Sequence, residues 1–166
     1  MDLTQPKIHV PASVAEKVIH TITLLLIIAA FVYTMMVYPG LPEPIPIHFN
    51  AQGDVNNWGS KAIIFLLPAI SLVLFIGLYF LNKVPHIYNL PVKVTEENAS
   101  RIYSLARTMM AIFNFEMAAI FTYVTFEIIQ VAQGGSGTLG VWFIVAVFLV
   151  PLGTIGLFIQ PMRHRQ

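Results

Sequence analysis

Cysteine is absent from this chain, which excludes a disulfide framework and any thiolate metal site. Charge is almost as scarce. Only 10% of the residues are Asp, Glu, Lys or Arg, against roughly 25% in an ordinary soluble domain. With a net charge of +1 and no basic cluster, nothing favours a nucleic-acid partner. No H-E-x-x-H pattern occurs, and no Ser or Cys nucleophile stands beside a base, so the chain does not read as an enzyme and implies no cofactor. What fills the space is oil: 57% of the residues are hydrophobic.

The apolar residues come in uninterrupted runs. No charge falls between Lys17 and Glu43, between Lys61 and Lys83, or between Glu127 and Arg163. About 20 apolar residues in a helix cross the roughly 30 Å hydrocarbon core of a bilayer. Backbone groups at that depth must pair within their own segment, so helices are the economical solution. The period-2 alternation of barrel strands is missing. The fold class expected is an all-α membrane protein, one integral membrane domain over 1–166. Its four transmembrane helices span about 18–38, 62–82, 102–131 and 139–159, with an extended loop over 39–61. The link QGGSGT at 133–138 makes the last two helices antiparallel neighbours. The first apolar run is too long for the core of a cleaved signal peptide and ends in Tyr38-Pro39-Gly40 rather than a small-x-small site.

Orientation follows from the basic residues. Lys7, Lys17, Lys83, Lys93, Arg101, Arg107, Arg163 and Arg165 flank one side, and Lys61 stands alone on the other. Both termini are therefore expected in the cytoplasm and the 39–61 loop outside, in a multi-pass protein of the cell membrane.

That loop is the most polar part of the chain. Pro39, Pro42, Pro44 and Pro46 fix φ and force extended backbone. Beyond them Ile45, Ile47 and Phe49 alternate with Pro46 and His48, which predicts one apolar side and one exposed side. Asn50 to Asn57 reads as a turn with Gly53 free to take positive φ. Trp58 suits the membrane interface and Lys61 opens the second helix. A strap that spaces two helices and a recognition surface are both consistent with these residues.

The run Leu41, Pro42, Ile45, Pro46, His48, Phe49, Asn50, then Gly53, Trp58, Gly59, Ser60 and Lys61, resembles the signature L-P-x-x-I-P-x-H-F-N…G-x-x-D-x-W-G-S-K. This signature marks a bacterial and archaeal membrane family of unknown function, the N-terminal domain of SdpI-type immunity proteins. The match covers about 21 residues, and Asn56 stands where the family usually has Asp. The resemblance implies protection against a secreted toxic peptide, with signalling through a cytoplasmic regulator. It also implies a second membrane domain for which this chain looks too short. The binding residues it singles out are Pro46, His48, Phe49, Asn50, Gly53, Trp58 and Lys61.

The third helix carries charge. A carboxylate at the bilayer centre costs about 2.5 kcal/mol or more. Glu116 and Glu127 lie 11 residues apart and project, with Tyr123, from one helical face. This face is expected to form the bundle interior, with Glu127 pairing to Lys61 or His48 and Glu116 either protonated or bonded to Ser71 or Thr154. Carbonyls freed by Pro68 and Pro151 are further partners. Arg107 is expected on the opposite side, snorkelling to the interface. His20 packs or caps near the same interface. A metal site built from His48, Asp54 and Glu127 is weighed and not adopted. In the 83–101 connection, Thr95 with Asn98 resembles an imperfect capping box, leading into the third helix or forming a docking surface.

The function expected is an immunity-like membrane binding protein whose outer loop meets a secreted peptide or extracytoplasmic protein. The alternative is a transport component using Glu116 and Glu127 in a proton or ion path, which in a four-helix chain requires homo-oligomerisation. The lipid bilayer is the remaining partner.

Overall fold

The computed structural model describes residues 5–135 and 138–163. Arg165 and the middle of the 133–138 link lie outside the described residues. Four helices are long and apolar enough to cross a membrane, over Val14–Gly40, Lys61–Leu81, Ala99–Ala132 and Gly140–Arg163. Their α-helical bodies are α1 (Val14–Val37), α2 (Leu66–Leu81), α3 (Ala99–Ala132) and α4 (Gly140–Arg163).

Each boundary has a local cause. Ser13 caps α1, its Oγ accepting from the Glu16 amide at 3.1 Å. Pro39 ends α1 in a single 3-10 turn, Tyr38–Gly40. Ser60 caps a 3-10 segment, Lys61–Phe65, that winds into α2. Pro68 therefore falls in the first turn of α2, where its missing N–H would have lacked an intrahelical partner anyway. Only Pro151, deep inside α4, frees a carbonyl in mid-span as expected. Before α3, the Asn98 side chain accepts from the Thr95 amide at 2.9 Å, so this pair is the lead-in to the helix. Buried threonines on the helices return their hydroxyls to the preceding turn: Thr23 to Ile19, Thr34 to Ala30 and Thr125 to Phe121.

The longest helix is the hub. At about 1.5 Å per residue the 34 residues of α3 extend roughly 51 Å, well beyond a 30 Å hydrocarbon core. It packs against α1, α2 and α4. Small residues at Ala111 and Ala118 allow close approach, and Asn114 between them donates to the Phe75 carbonyl of α2 at 3.3 Å. Ile27, Phe75 and Ala118 form the mid-span core. The pairs Tyr123–Phe143, Glu116–Thr154 and Arg101–Pro161 run in opposite directions along α3 and α4, so the two are antiparallel.

The link between α1 and α2 departs from the extended strap. After bends at Glu43 and Pro44 it closes into an antiparallel hairpin, β1 (Ile45–Phe49) with β2 (Val55–Gly59). The pairing shifts twice, leaving Ile47 as a bulge on β1 and Asn56 as a bulge on β2. The bulges break the predicted alternation. Pro46 is buried beside Ile45 instead of sharing an exposed side with His48. Leu41, Ile45, Ile64, Ile128 and Ile129 make the core that seats the hairpin on α2 and α3.

Candidate functional site

The hairpin tip is built from its own polar groups. The Asn50 side-chain carbonyl accepts from the amides of Gln52 and Asp54, both at 2.9 Å. Gly53 takes φ +87°, and its carbonyl accepts from the Leu139 amide at 3.1 Å, just before α4. A Cβ at Gly53 would come within 2.6 Å of the Gly140 nitrogen. Glycine is thus required twice, by conformation and by the close approach of another backbone. At Gly59 the demand is weaker, since φ is not positive and a Cβ would meet only the end of the Ile47 side chain, Cδ1 at 2.8 Å.

On β1, His48 is exposed and its Nδ1 contacts Asn56 Oδ1 at 2.5 Å. The amide oxygen only accepts, so Nδ1 is the donor in this contact. Asn56, the residue that departs from the resembled signature, is therefore the partner of the histidine. Phe49 is half-buried, and with Pro46 and His48 it lines an apolar pocket of about 260 Å³ closed by Ile64, Leu67 and Ile128. Trp58 is 49% exposed on β2. Lys61 is half-buried; its Nζ donates to the Leu41 carbonyl at 3.3 Å and lies 5.1 Å from the Tyr38 ring centre. It ties the exit of α1 to the entry of α2.

The α3 residues are arranged differently from the expectation. Among the described residues Glu127 pairs with neither Lys61 nor His48, and His48, Asp54 and Glu127 are not gathered as a ligand set. The face carrying Glu116, Tyr123 and Glu127 does not form the interior between α1 and α2. Tyr123 packs on Phe143 of α4, ring centres 4.8 Å apart, and the Thr154 hydroxyl of α4 donates to Glu116 Oε1. Of the two partners proposed for Glu116, Thr154 is the one found, and the buried Ser71 Oγ has none among the described residues. Glu116 Oε2 is likewise buried without a partner. The small-residue face of α3 takes the interior because it lets α1 and α2 come close.

Arg107 is the clearest correction. It does not snorkel: it is 8% exposed, pairs with Glu16 of α1 at 2.9 Å and donates to the Val10 carbonyl. A guanidinium at that depth is stabilised by a carboxylate more than by a stretched path to water. Glu16 escaped the sequence reading although Ser13 and Glu16 have the spacing of a capping box. Around the pair, Tyr88 donates to Asn82 Oδ1 at 2.9 Å, and burial pushes the Tyr88 phenol well above its ordinary range. Asn82 meets His20 Nε2 at 3.2 Å, and His20 packs edge-on against Tyr79. Tyr103 donates to the Pro6 carbonyl at 2.8 Å, and Gln5 to the Tyr88 carbonyl at 2.6 Å.

Fold and sites together define a multi-pass α-helical membrane protein with a hairpin at one end. Residues 25–72 match a family described as "Domain of unknown function (DUF1648)". The stretch runs from the middle of α1 through the hairpin into α2. An uncharacterized protein of Archaeoglobus fulgidus is 24% identical over 154 residues, covering 84% of each chain. No solved structure matches. The chain is thus similar to uncharacterised prokaryotic proteins, and the region shared with the family holds the hairpin.

Proposed function

We propose that the hairpin is a recognition surface for a secreted hydrophobic peptide or an extracytoplasmic protein, in an immunity-like role. The observation that carries this reading is the apolar pocket under β1 with His48 at its rim. Its walls accept an apolar side chain, and the exposed imidazole of His48 offers one directional hydrogen bond to the same ligand. The pocket is smaller than a typical small-molecule site, which suits a side chain of an extended peptide. Because Asn50, Asn56 and Gly53 are satisfied within the hairpin or against the start of α4, little ordering is left for binding to cost. The excess of Lys and Arg at the opposite end supports an outward-facing hairpin in a plasma membrane. A cytoplasmic regulator at that opposite end, and a homo-oligomer, belong to the same proposal.

The test is protection. The chain is expressed in a sensitive bacterium, and membrane potential is followed with a dye during challenge by a secreted toxic peptide. The intact protein is expected to prevent depolarisation, and His48→Ala and Phe49→Ala to lose that protection. Depolarisation equal to that with empty vector would overturn stand-alone immunity to that toxin.

A second reading draws on Glu116, whose Oε2 is buried and unpartnered in a membrane-spanning helix. Such a group is suited to hold a proton in a transport path toward Tyr123 and Glu127. Loss of activity in Glu116→Gln with His48→Ala active would favour transport over recognition.

A further inference from the structure

At the end of the bundle opposite the hairpin, a cavity of about 530 Å³ lies between α1 and α2. Lys17, His20, Lys83 and Arg107 line its polar part, and Leu24 and Phe75 its apolar part. A second cavity, of about 400 Å³, shares Lys83 and Arg107 and reaches His9 on the N-terminal segment. Three basic side chains thus converge where one carboxylate, Glu16, answers them.

The hydrogen-bond inventory points the same way. Tyr88 donates to Asn82 Oδ1, so the Asn82 amide nitrogen is what faces His20, and His20 Nε2 must accept. The neutral ring then carries its proton on Nδ1, which is buried and has no partner. Arg107 Nε–H is also buried without a partner. Two side chains lining one cavity therefore each hold an unused donor. Buried donors left unmade are costly, and an acceptor with several oxygens relieves both. Lys83 is held at the rim by the faces of Tyr79 and Phe80, with Nζ 4.5 and 4.9 Å from the ring centres.

We propose that this cavity binds the phosphate headgroup of an anionic phospholipid. Lys17 and Lys83, both exposed on the lining, neutralise the phosphate charge, with the Arg107 guanidinium and His20 behind them in the same lining. The apolar wall favours a lipid over a soluble anion, because Leu24 and Phe75 belong to the membrane-crossing stretches of α1 and α2, where an acyl chain lies alongside. Basic pockets between helices at the membrane interface have this combination of charge and grease.

The test uses the full chain in phosphatidylcholine nanodiscs with increasing phosphatidylglycerol, with retained lipid read by native mass spectrometry. Preferential retention of phosphatidylglycerol is expected. It should fall on the order of tenfold in Lys17→Gln/Lys83→Gln and be unchanged in Lys93→Gln, which lies outside the cavity. Both Lys17 and Lys83 are exposed, and the single Lys17→Gln gives the same reading if the double variant fails to fold. Equal retention by the double variant, or an equal loss in Lys93→Gln, would overturn the site in favour of general surface attraction. Competition by glycerol phosphate as strong as by the lipid would overturn the lipid assignment in favour of a soluble anion.

Discussion

The two ends of the bundle are held together by different physics. At the hairpin end, side-chain hydrogen bonds join near neighbours, and the farthest in sequence is Lys61 to Leu41, 20 residues apart. At the opposite end they join remote parts of the chain: Arg107 to Val10 and Tyr103 to Pro6, 97 residues apart in each case, and Gln5 to Tyr88, 83 apart. The hairpin is seated by aliphatic packing on Ile64 and Ile129, and its polar side chains are satisfied locally, while one backbone bond, from Leu139 to Gly53, reaches a distant part of the chain. The terminal end is a polar lock around a buried ion pair. A surface meant to meet a ligand gains from the first arrangement, because exposed groups such as His48 and Trp58 are not needed to hold the fold. An end that fixes the order of helices gains from the second.

The comparison breaks most visibly at Arg107. Arg107→Ala leaves Glu16 charged and buried, and is expected to destabilise the protein by roughly 4 kcal/mol in reversible unfolding from mixed micelles. Replacing both partners by apolar residues of similar size should cost much less. Equal losses in the two variants would mean that packing, not charge, holds this end. Next comes Ile45→Ala, which empties a fully buried position under the hairpin and should cost about 3 kcal/mol. Hydrogen exchange should rise in β1 and β2 while the amides around Tyr103 stay protected, and exchange rising equally at both ends would deny that the ends are separate units. Gly53→Ala strains a φ of +87°, about 1–2 kcal/mol by itself, and also drives a Cβ to within 2.6 Å of the Gly140 nitrogen, so it should loosen this contact, read as faster exchange of the Leu139 amide.

Smaller effects sharpen the contrast. His48→Ala should change stability by less than about 0.5 kcal/mol and yet abolish the proposed recognition; a large drop in melting temperature would make His48 a structural residue. In the connection before α3, the Thr95 side chain holds the Glu97 carboxyl below its ordinary range. A depressed folded-state value adds stability that is complete above the unfolded value and is lost as pH falls through the folded one. Thr95→Val should move the Glu97 midpoint upward in an NMR titration, and an unmoved midpoint would remove this hydrogen bond from the account.

The helices were legible because charge-free runs of membrane length leave few alternatives, and Pro39 sits at a real boundary. The hairpin was half legible. Asn50 and Gly53 marked its turn, but the paired bulges at Ile47 and Asn56 and the burial of Pro46 beside Ile45 could not be read from alternation. On α3, three-turn spacing grouped Glu116, Tyr123 and Glu127, of which Glu116 and Tyr123 both meet α4. It could not say which neighbour that face meets, because the answer depends on the small-residue face of Ala111, Asn114 and Ala118 turning toward α1 and α2. Arg107 was misread because a single charge near a helix end has two outlets, water or a partner. The partner, Glu16, lies on another helix. The recurrence of Glu16, Thr23, Ile27, Ala30 and Thr34 at helical spacing was the available sign that Glu16 faces inward.

The backbone bond from Leu139 to Gly53 gives α4 an unusual dependence. In the bundle α4 packs on α3, and most of its surface looks outward. Its first turn is docked on a glycine made long before it in synthesis. The last helix is therefore received by a landing place that the first half of the chain supplies, so the depth at which α4 enters the bilayer is set by the hairpin as well as by its own hydrophobic length.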